Sequence, residues 1–375
     1  MQPELQTTGG TVLFLEKVFL KPRQEPIRGV ELFNLNLLAD LRRLGCRVTA
    51  PAHRSWVETV APVAGDVLPL RTPGGVVGNG LAAAWRLARR RFDVLLLGNV
   101  GNGLIPALRL LRVCGVVPRA ALIAHREPTR RFVNSLGAMP TAVAAVNAQI
   151  AGHFHGGAYG PVRVYYGISA ADAFGPGSAR RAADGVTRFA VLGQLDNAWK
   201  GADTAVAAFR ALAADLRSRC ELHLASFTRP PAFAESNIRP YRWMPAAEIP
   251  DFLRAMDVLI VPSRDEQVMR ETFSQAMVQG MLTGLPVLAA DLPVLKEKLD
   301  AGGGLVFRTV GELAEAMARL ARAPDLRRRL GAEARRTALG RYVWSTERFV
   351  NEFLFSAGAA AAEAGFAGRR RAPEV

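Results

Sequence analysis

Pro262–Asp291 reads PSRDEQVMRETFSQAMVQGMLTGLPVLAAD and lies between the apolar runs Val258–Val261 and Val287–Ala290, the second of which it includes. Thr272 followed three residues later by Gln275 matches a capping box, in which a side-chain hydroxyl takes a free amide of the first helical turn. The helix is therefore expected to start at Phe273. Phe273, Met277 and Met281 recur at helical spacing with Ala276 and Gly280 beside them, which gives one face to bury. Gly284 stands where a C-terminal cap is expected, and Pro286 cannot continue a helix. The segment predicts strand, loop, helix and strand, the unit of an open α/β sheet, whose ligands bind beyond the carboxyl ends of the strands. Its loop carries Asp265, Glu266, Arg270 and Glu271, a polar group just before a helix N-terminus.

Toward the N-terminus the same alternation recurs. Thr11–Val18 reads as a strand, Glu31–Leu44 as a helix ended by Gly45, and Gly29 lies at the helix entry, where backbone amides can face a phosphate. Residues 51–92 are less regular, with a Pro73-Gly74-Gly75 loop and a basic helix over Leu81–Arg91. Phe92–Leu97, Ala120–Ala124, Thr141–Val146 and Val162–Tyr166 read as strands, and His125 leaves the second of these runs at its carboxyl end. There it either faces ligand or is satisfied by neighbouring backbone. Residues 171–186 have a linker composition, with Gly175-Pro176-Gly177-Ser178 and Arg180-Arg181. A second α/β series follows: strands at Phe189–Leu192, Leu222–Ala225, Val258–Val261 and Leu305–Phe307, a helix over Ala202–Leu216, and three late helices, Gly311–Arg322, Asp325–Leu339 and Ser345–Phe355. The alanine-rich, then basic, tail 357–375 is expected to be frayed. The reading is two doubly wound domains facing across a cleft, 1–170 and 187–343, with residues 344–356 as a final helix.

A chain of 375 residues, half of them hydrophobic, is long enough for two cores. Its three cysteines, Cys46, Cys114 and Cys220, suggest neither a disulfide framework nor a metal pattern, so the chain reads as reduced and cytoplasmic. The start MQPELQTTGG has no basic n-region or apolar h-region, and no run reaches the ~18 apolar residues of a spanning helix. A net charge of +15 raises nucleic acid as a partner, but just five of the 48 basic residues are lysines and the arginines are dispersed, with no reader motif among them. A nucleic-acid partner is disfavoured on that ground. An anionic substrate, or peripheral contact with the inner face of a membrane, accounts for the charge, as does a merely solvated basic face.

Two further residues stand out beside Glu271. Residues 191–201 read Val-Leu-Gly-Gln-Leu-Asp-Asn-Ala-Trp-Lys-Gly, so Lys200 opens a helix after a strand, where its charge and the helix dipole together can hold a phosphate. An ordinary surface lysine is the bland alternative, as a dipole-stabilised helix-start carboxylate is for Glu271. Lys200 and Glu271 occupy equivalent strand–loop–helix positions of one sheet and could together frame a ligand bearing both phosphate and hydroxyls, such as a nucleotide sugar.

With these residues the chain resembles the family 4 retaining glycosyltransferases, glycosyl transferases group 1, of the GT-B fold. The likeness runs over roughly 11–355 and is sharpest at Gly193…Lys200-Gly201, at Pro262-Ser263…Glu271…Gly284-Leu285-Pro286-Val287 and at Gly302-Gly303-Gly304-Leu305; Tyr166-Gly167-Ile168 resembles a further family segment. The resemblance implies a GT-B protein, two Rossmann-like domains facing across a cleft, the first reading the acceptor and the second the donor, with the last helix returning to the first. It implies that Glu271 contacts the donor sugar and that amides at Phe273 and Ser274, next to Thr272, contact the diphosphate. Lys200 would neutralise the leaving phosphate, Gly29 would let the first-domain loop approach it, Gly193 would line the donor loop, and His125 would sit beside the transferred sugar. Stabilisation of a departing diphosphate and an oxocarbenium-like sugar would carry the reaction. No metal and no cofactor beyond the nucleotide-diphosphate sugar is implied, and the chain has no Asp-x-Asp. The implied acceptor is a glycan, a lipid-linked intermediate or a small natural product.

Three positions depart from the pattern. Gln194 stands where the family usually has an arginine on the diphosphate, Gln279 replaces the glutamate that normally binds the ribose, and Leu224-Ala225-Ser226-Phe227 replaces a glycine-rich strand end. They keep open a second reading, a weak or inactive GT-B protein that binds a sugar nucleotide or a partner protein.

Overall fold

The long apolar runs become fully paired strands. In this computed structural model, residues 9–24, 27, 29–72, 74–156, 158–169, 171–176, 185–226, 233, 235–241, 244–265 and 271–355 are described. They fall into two units, one within Met1–Ser169 and Ser345–Val375, the other within Ala170–Trp344.

The first unit is built on β1 (Thr11–Leu15), β2 (Arg47–His53), β3 (Gly65–Leu70), β4 (Val94–Leu97), β5 (Ala120–Ala124), β6 (Thr141–Ala145) and β7 (Tyr159–Val164). They form one seven-stranded sheet, ordered β3-β2-β1-β4-β5-β6-β7, with every pairing parallel. β4, β5 and β6 have no exposed residue, as expected of strands covered by helices on both faces. Ser345–Phe355 packs within this unit. Tyr165 donates its hydroxyl to the Ser345 carbonyl (2.8 Å) and stacks on Phe353 (5.4 Å), and Arg119 donates to the Phe355 carbonyl (2.8 Å).

The second unit contains β8 (Thr187–Gly193), β9 (Cys220–Ser226), β10 (Ile238–Tyr241), β11 (Val258–Val261), β12 (Val287–Ala290) and β13 (Gly304–Phe307), in the order β10-β9-β8-β11-β12-β13, again all parallel. Phe189, Val191, Leu222, Leu224, Val258 and Ile260 project from its central strands into one apolar core with Phe209, Leu313 and Met317. In each unit the chain order reverses beside the first strand, between β1 and β4 and between β8 and β11. Doubly wound sheets bind ligands at such switch points.

Several elements differ from the sequence expectations. β1 stops at Leu15, because Glu16 is fully buried and turns back to bind the amide of Val18 (3.2 Å). The stretch read as irregular holds a helix, Val57–Ala64, and strand β3, while the basic helix begins earlier, at Gly75, and ends at Leu87. The Ala202–Leu216 helix is two, Ala202–Arg210 and Ala214–Arg217. β10 and the helix Ile249–Arg254 were not expected. The final helix is a single α turn, Thr346–Phe349, continued by a wider π turn over Val350–Leu354. Of the linker composition, Ala171–Phe174 forms a 3₁₀ turn with Ala171 and Phe174 buried, while 177–184 and the tail 357–375 lie outside the described residues. Among the described residues no helix is long and apolar enough to cross a membrane.

Candidate functional site

β8 ends at Gly193, and the chain makes one tight turn before the next helix. Gln194 closes it: its carbonyl accepts from the Asn197 amide and its side chain from the Asn197 amide group, both at 3.1 Å. Lys200 follows at the end of a 3₁₀ turn, its ammonium 4.1 Å from the centroid of the Trp199 ring. Gly201 then takes a left-handed φ of 69°, and a Cβ there would stand 2.0 Å from the Pro262 carbonyl oxygen. That contact presses the loop after β8 onto the loop after β11. Arg264 fastens the two, its amide donating to the Trp199 carbonyl (2.7 Å) and its guanidinium to Thr204 (2.7 Å) and Asp203 (2.5 Å).

Lys200 and Glu271 meet across this junction at 2.7 Å, with side chains 19% and 9% exposed. The Glu271 carboxylate has two further, longer contacts: Ser263 donates its hydroxyl at 3.2 Å and the Ser274 amide donates at 3.1 Å. A single carboxylate thus gathers an ammonium, a hydroxyl and a backbone amide at the switch point of the sheet.

The helix begins two residues later than the capping box predicts. The helix runs from Gln275 to Thr283, and its N-cap is Ser274 with φ 60° and ψ 78°, a left-handed conformation that costs a non-glycine residue about 1 kcal/mol or more. The Ser274 side chain makes no capping bond. The carboxylate of Glu271, three residues earlier, takes the Ser274 amide and so helps to organise the turn. The rest of the helix reading holds. Met277 and Met281 are fully buried and Phe273 nearly so, Gly280 has no room for a Cβ (2.5 Å from Leu259), and Gly284 caps the C-terminus with φ 82°. Gln279 lies partly exposed on the second turn, its carbonyl accepting from the Thr283 hydroxyl (2.9 Å). Arg270, which could have compensated for Gln194, and Glu266 lie outside the described residues.

In the first unit Gly29 opens the helix Gly29–Arg43, which follows the loop after β1. His125 leaves β5 and is 5% exposed, with its ring edge-on to Phe33 (5.4 Å) and Tyr166 (4.9 Å). Its Nε2 is buried without a hydrogen-bond partner among the described residues. Burial, reinforced by the charges of Arg126 and Lys17, lowers its pKa to about 3, so the imidazole is neutral. Glu16 beside the same sheet edge receives a hydrogen bond from Asn34 (3.0 Å), and burial raises its pKa to about 7. Lys17 donates to the Val100 carbonyl (3.1 Å), and burial together with Arg126 lowers its pKa to about 8.

The residues that sequence reasoning missed are supporting ones. Ser263 and Trp199 flank the ion pair, and Arg264 locks the loops. Ser263 stands in the Pro262-Ser263…Glu271 stretch that carries the family likeness but was given no role there, Trp199 adjoins Lys200, and no motif marks Arg264. Lys298 is a different case, a lysine that is 1% exposed.

The chain is similar to known proteins in part of its sequence and in its fold. Residues 187–323 match the sequence model of the family described as Glycosyl transferases group 1. No curated protein shows significant sequence similarity to the chain. Among solved structures, a glycosyltransferase from Rickettsia africae superposes with a TM-score of 0.70 at 14% identity, covering 92% of this chain and 97% of that one. HepE from Anabaena in complex with UDP gives 0.67 at 15% identity, covering 95% and 100%. Sucrose-phosphate synthase from Thermosynechococcus elongatus gives 0.67 at 14% identity, covering 96% and 99%. At these identities the likeness establishes the fold. It is GT-B, two parallel α/β sheets, as the resemblance in the sequence implied.

Proposed function

We propose that the protein is a glycosyltransferase that moves a sugar, with retention of configuration, from a nucleotide-diphosphate sugar to a hydroxyl of a glycan, a lipid-linked intermediate or a small natural product. The observation that carries this reading is the Lys200–Glu271 pair, 2.7 Å apart at the switch point of the second sheet, within the segment that matches the group 1 family. A lysine and a carboxylate so placed fit a donor with a diphosphate at one end and sugar hydroxyls at the other. The structures of HepE with UDP and with UDP-glucose supply a precedent for such a ligand on this fold.

In this reading Lys200 meets the charge that develops on the leaving diphosphate, and the amides of Phe273 and Ser274 share it. A developing anion held by fixed donors in a water-poor site is stabilised more than the same anion in water. Glu271, once released from Lys200 and Ser274, takes sugar hydroxyls. Gly193, Gln194 and Thr272 shape the donor loops and Gln279 hydrogen-bonds the ribose. To the first unit we assign Gly29 for backbone approach to phosphate and neutral His125, with its unpartnered Nε2, for the transferred sugar.

Calorimetric titration with UDP, ADP and GDP tests this reading. One nucleotide should bind at micromolar concentration and lose at least tenfold in affinity in Lys200→Ala. The matching sugar donor should then be hydrolysed or transferred. Failure of every nucleotide to bind would refute the assignment. Binding without turnover over a panel of acceptors would support the alternative, a sugar-nucleotide-binding protein with little activity, which Gln194 favours because it leaves one cation fewer on the diphosphate.

A further inference from the structure

Among the described residues of the second unit, Lys298 is a buried charge that the donor-site assignment leaves unused. Lys298 follows the short helix Pro293–Lys296, is 1% exposed, and donates to the Val294 carbonyl at 2.9 Å. Its ammonium lies 4.8 Å from the centroid of the Phe273 ring and 5.2 Å from that of Tyr342, and these two buried rings meet edge to face at 6.0 Å. An ammonium held against two aromatic faces recovers part of its lost hydration from their quadrupoles. A leucine or methionine would fill the same space without having to be dehydrated, so packing does not account for a lysine here. Phe273 is the residue between the turn that Glu271 organises and the helix it precedes.

We propose that Lys298 is a positioning residue for the donor, a buried ammonium that braces the Glu271–Ser274 turn through the Phe273 ring and lends positive potential to the diphosphate bound there. The inference rests on the donor-site reading above. Dehydration lowers the Lys298 pKa to about 8, opposed by the carboxylates of Glu297 and Glu271. Lys298 therefore already feels a carboxylate of the site itself. Beside the cage, with Asp300 and Arg341 near its hydroxyl, Tyr342 is held up at about 12 by burial. A diphosphate seated on the Phe273 and Ser274 amides would act on Lys298 as Glu271 does, more strongly, and raise its pKa. Nucleotide binding near pH 8 should then draw in a proton.

The experiment is calorimetry of UDP, ADP and GDP binding to the full chain at pH 8 in two buffers of different ionisation enthalpy, using the nucleotide that binds. The expected uptake approaches about half a proton per nucleotide, the fraction of an amine unprotonated at its own pKa. Lys298→Met keeps the apolar stem of the side chain and ends one atom short of the ammonium. It should abolish the uptake and weaken nucleoside diphosphate about tenfold while leaving the parent nucleoside unchanged. Absence of uptake in the wild type, or equal loss for nucleoside and diphosphate, overturns the proposal. Should the Met variant not fold, uptake measured in Lys17→Met settles it, because Lys17 is the other amine lowered to about 8. Uptake that survives there is Lys298's, and uptake that vanishes refutes the assignment. If no nucleoside diphosphate binds the wild type, the donor-site reading fails and takes this inference with it.

Discussion

Replacing Glu271 with alanine should separate nucleotide affinity from transfer. The carboxylate holds Lys200 at 2.7 Å and the Ser274 amide at 3.1 Å, the same two donors that a diphosphate would require. A nucleotide has to displace it from both. A hydrogen bond to a charged group is worth about 1.5–3 kcal/mol net, but water meets part of that demand once the carboxylate has gone. Relief from competition should therefore tighten nucleoside diphosphate by about 0.7–1.4 kcal/mol, or roughly three- to tenfold. Stability moves the other way. Lys200 keeps the Trp199 ring but loses its counterion, and left-handed Ser274 loses the amide contact that offsets its strain, so unfolding free energy should drop by about 1–3 kcal/mol. Transfer, which in this account needs Glu271 on the sugar, should fall at least ~100-fold, or about 2.7 kcal/mol of barrier. Calorimetry, urea unfolding and a transfer assay on one preparation measure all three. An Ala variant that binds nucleotide tenfold more weakly would show that Glu271 builds the phosphate site and does not compete for it. Transfer within threefold of wild type would reduce Glu271 to a residue that shapes a turn.

Gly201→Ala should destabilise the second unit by about 2–4 kcal/mol in chemical unfolding, since φ is 69° and the new Cβ falls 2.0 Å from a backbone oxygen; a loss below 0.5 kcal/mol would mean that the two loops separate easily. In the first unit, His125 and Glu16 should oppose each other in stability against pH. The folded pKa of His125, about 3, lies below the ordinary 6.5, so its contribution is present above 6.5 and is lost as pH falls toward 3. The folded pKa of Glu16, about 7, lies above 4.5, so its contribution is present below 4.5 and is lost as pH rises through 7. Between those limits the two slopes cancel in the wild type. Glu16→Gln should expose a loss on acidification, and His125→Asn a loss on raising pH, each approaching 1.4 kcal/mol per pH unit. Parallel curves for both variants and wild type would contradict the burial assigned to these side chains.

The strands that the sequence revealed are those in the middle of the sheets. β4, β5 and β11 are apolar on both faces and read directly as buried parallel strands. Three strands that it hid or displaced lie at sheet edges, and each contains a proline: Pro69 in β3, Pro161 in β7 and Pro240 in β10; the inner strand β2 holds one too, Pro51, at a position beyond its pairing with β1. An edge strand can spare the amide that proline lacks, so the residue that argues against a strand marks the edge of one. The candidate site shows the same division. Lys200 and Glu271 stood out because helix entries after strands are where phosphates bind. The capping box placed the helix start two residues early, because spacing alone does not show that Ser274, with its amide held by the Glu271 carboxylate, turns left-handed and becomes the N-cap. Lys298 gave no signal, since a lysine in a charged run, Lys296-Glu297-Lys298, looks solvated until the rings of Phe273 and Tyr342 close over it.

The packing of Ser345–Phe355 against Tyr165 and Arg119 has a consequence for how the chain is made. Domains generally fold as units, from the N-terminus first, as they leave the ribosome. Here that order is reversed. The second unit is one continuous segment and can close as soon as Trp344 has emerged. The first is synthesised earlier, yet it lacks Phe353, the stacking partner of Tyr165, and the carbonyls of Ser345 and Phe355 until the whole second unit has been translated. The earlier-made half must therefore wait, with part of its surface uncovered, for residues that arrive last. A nascent chain arrested before Ser345 should then be more open to protease in its first half than in its second.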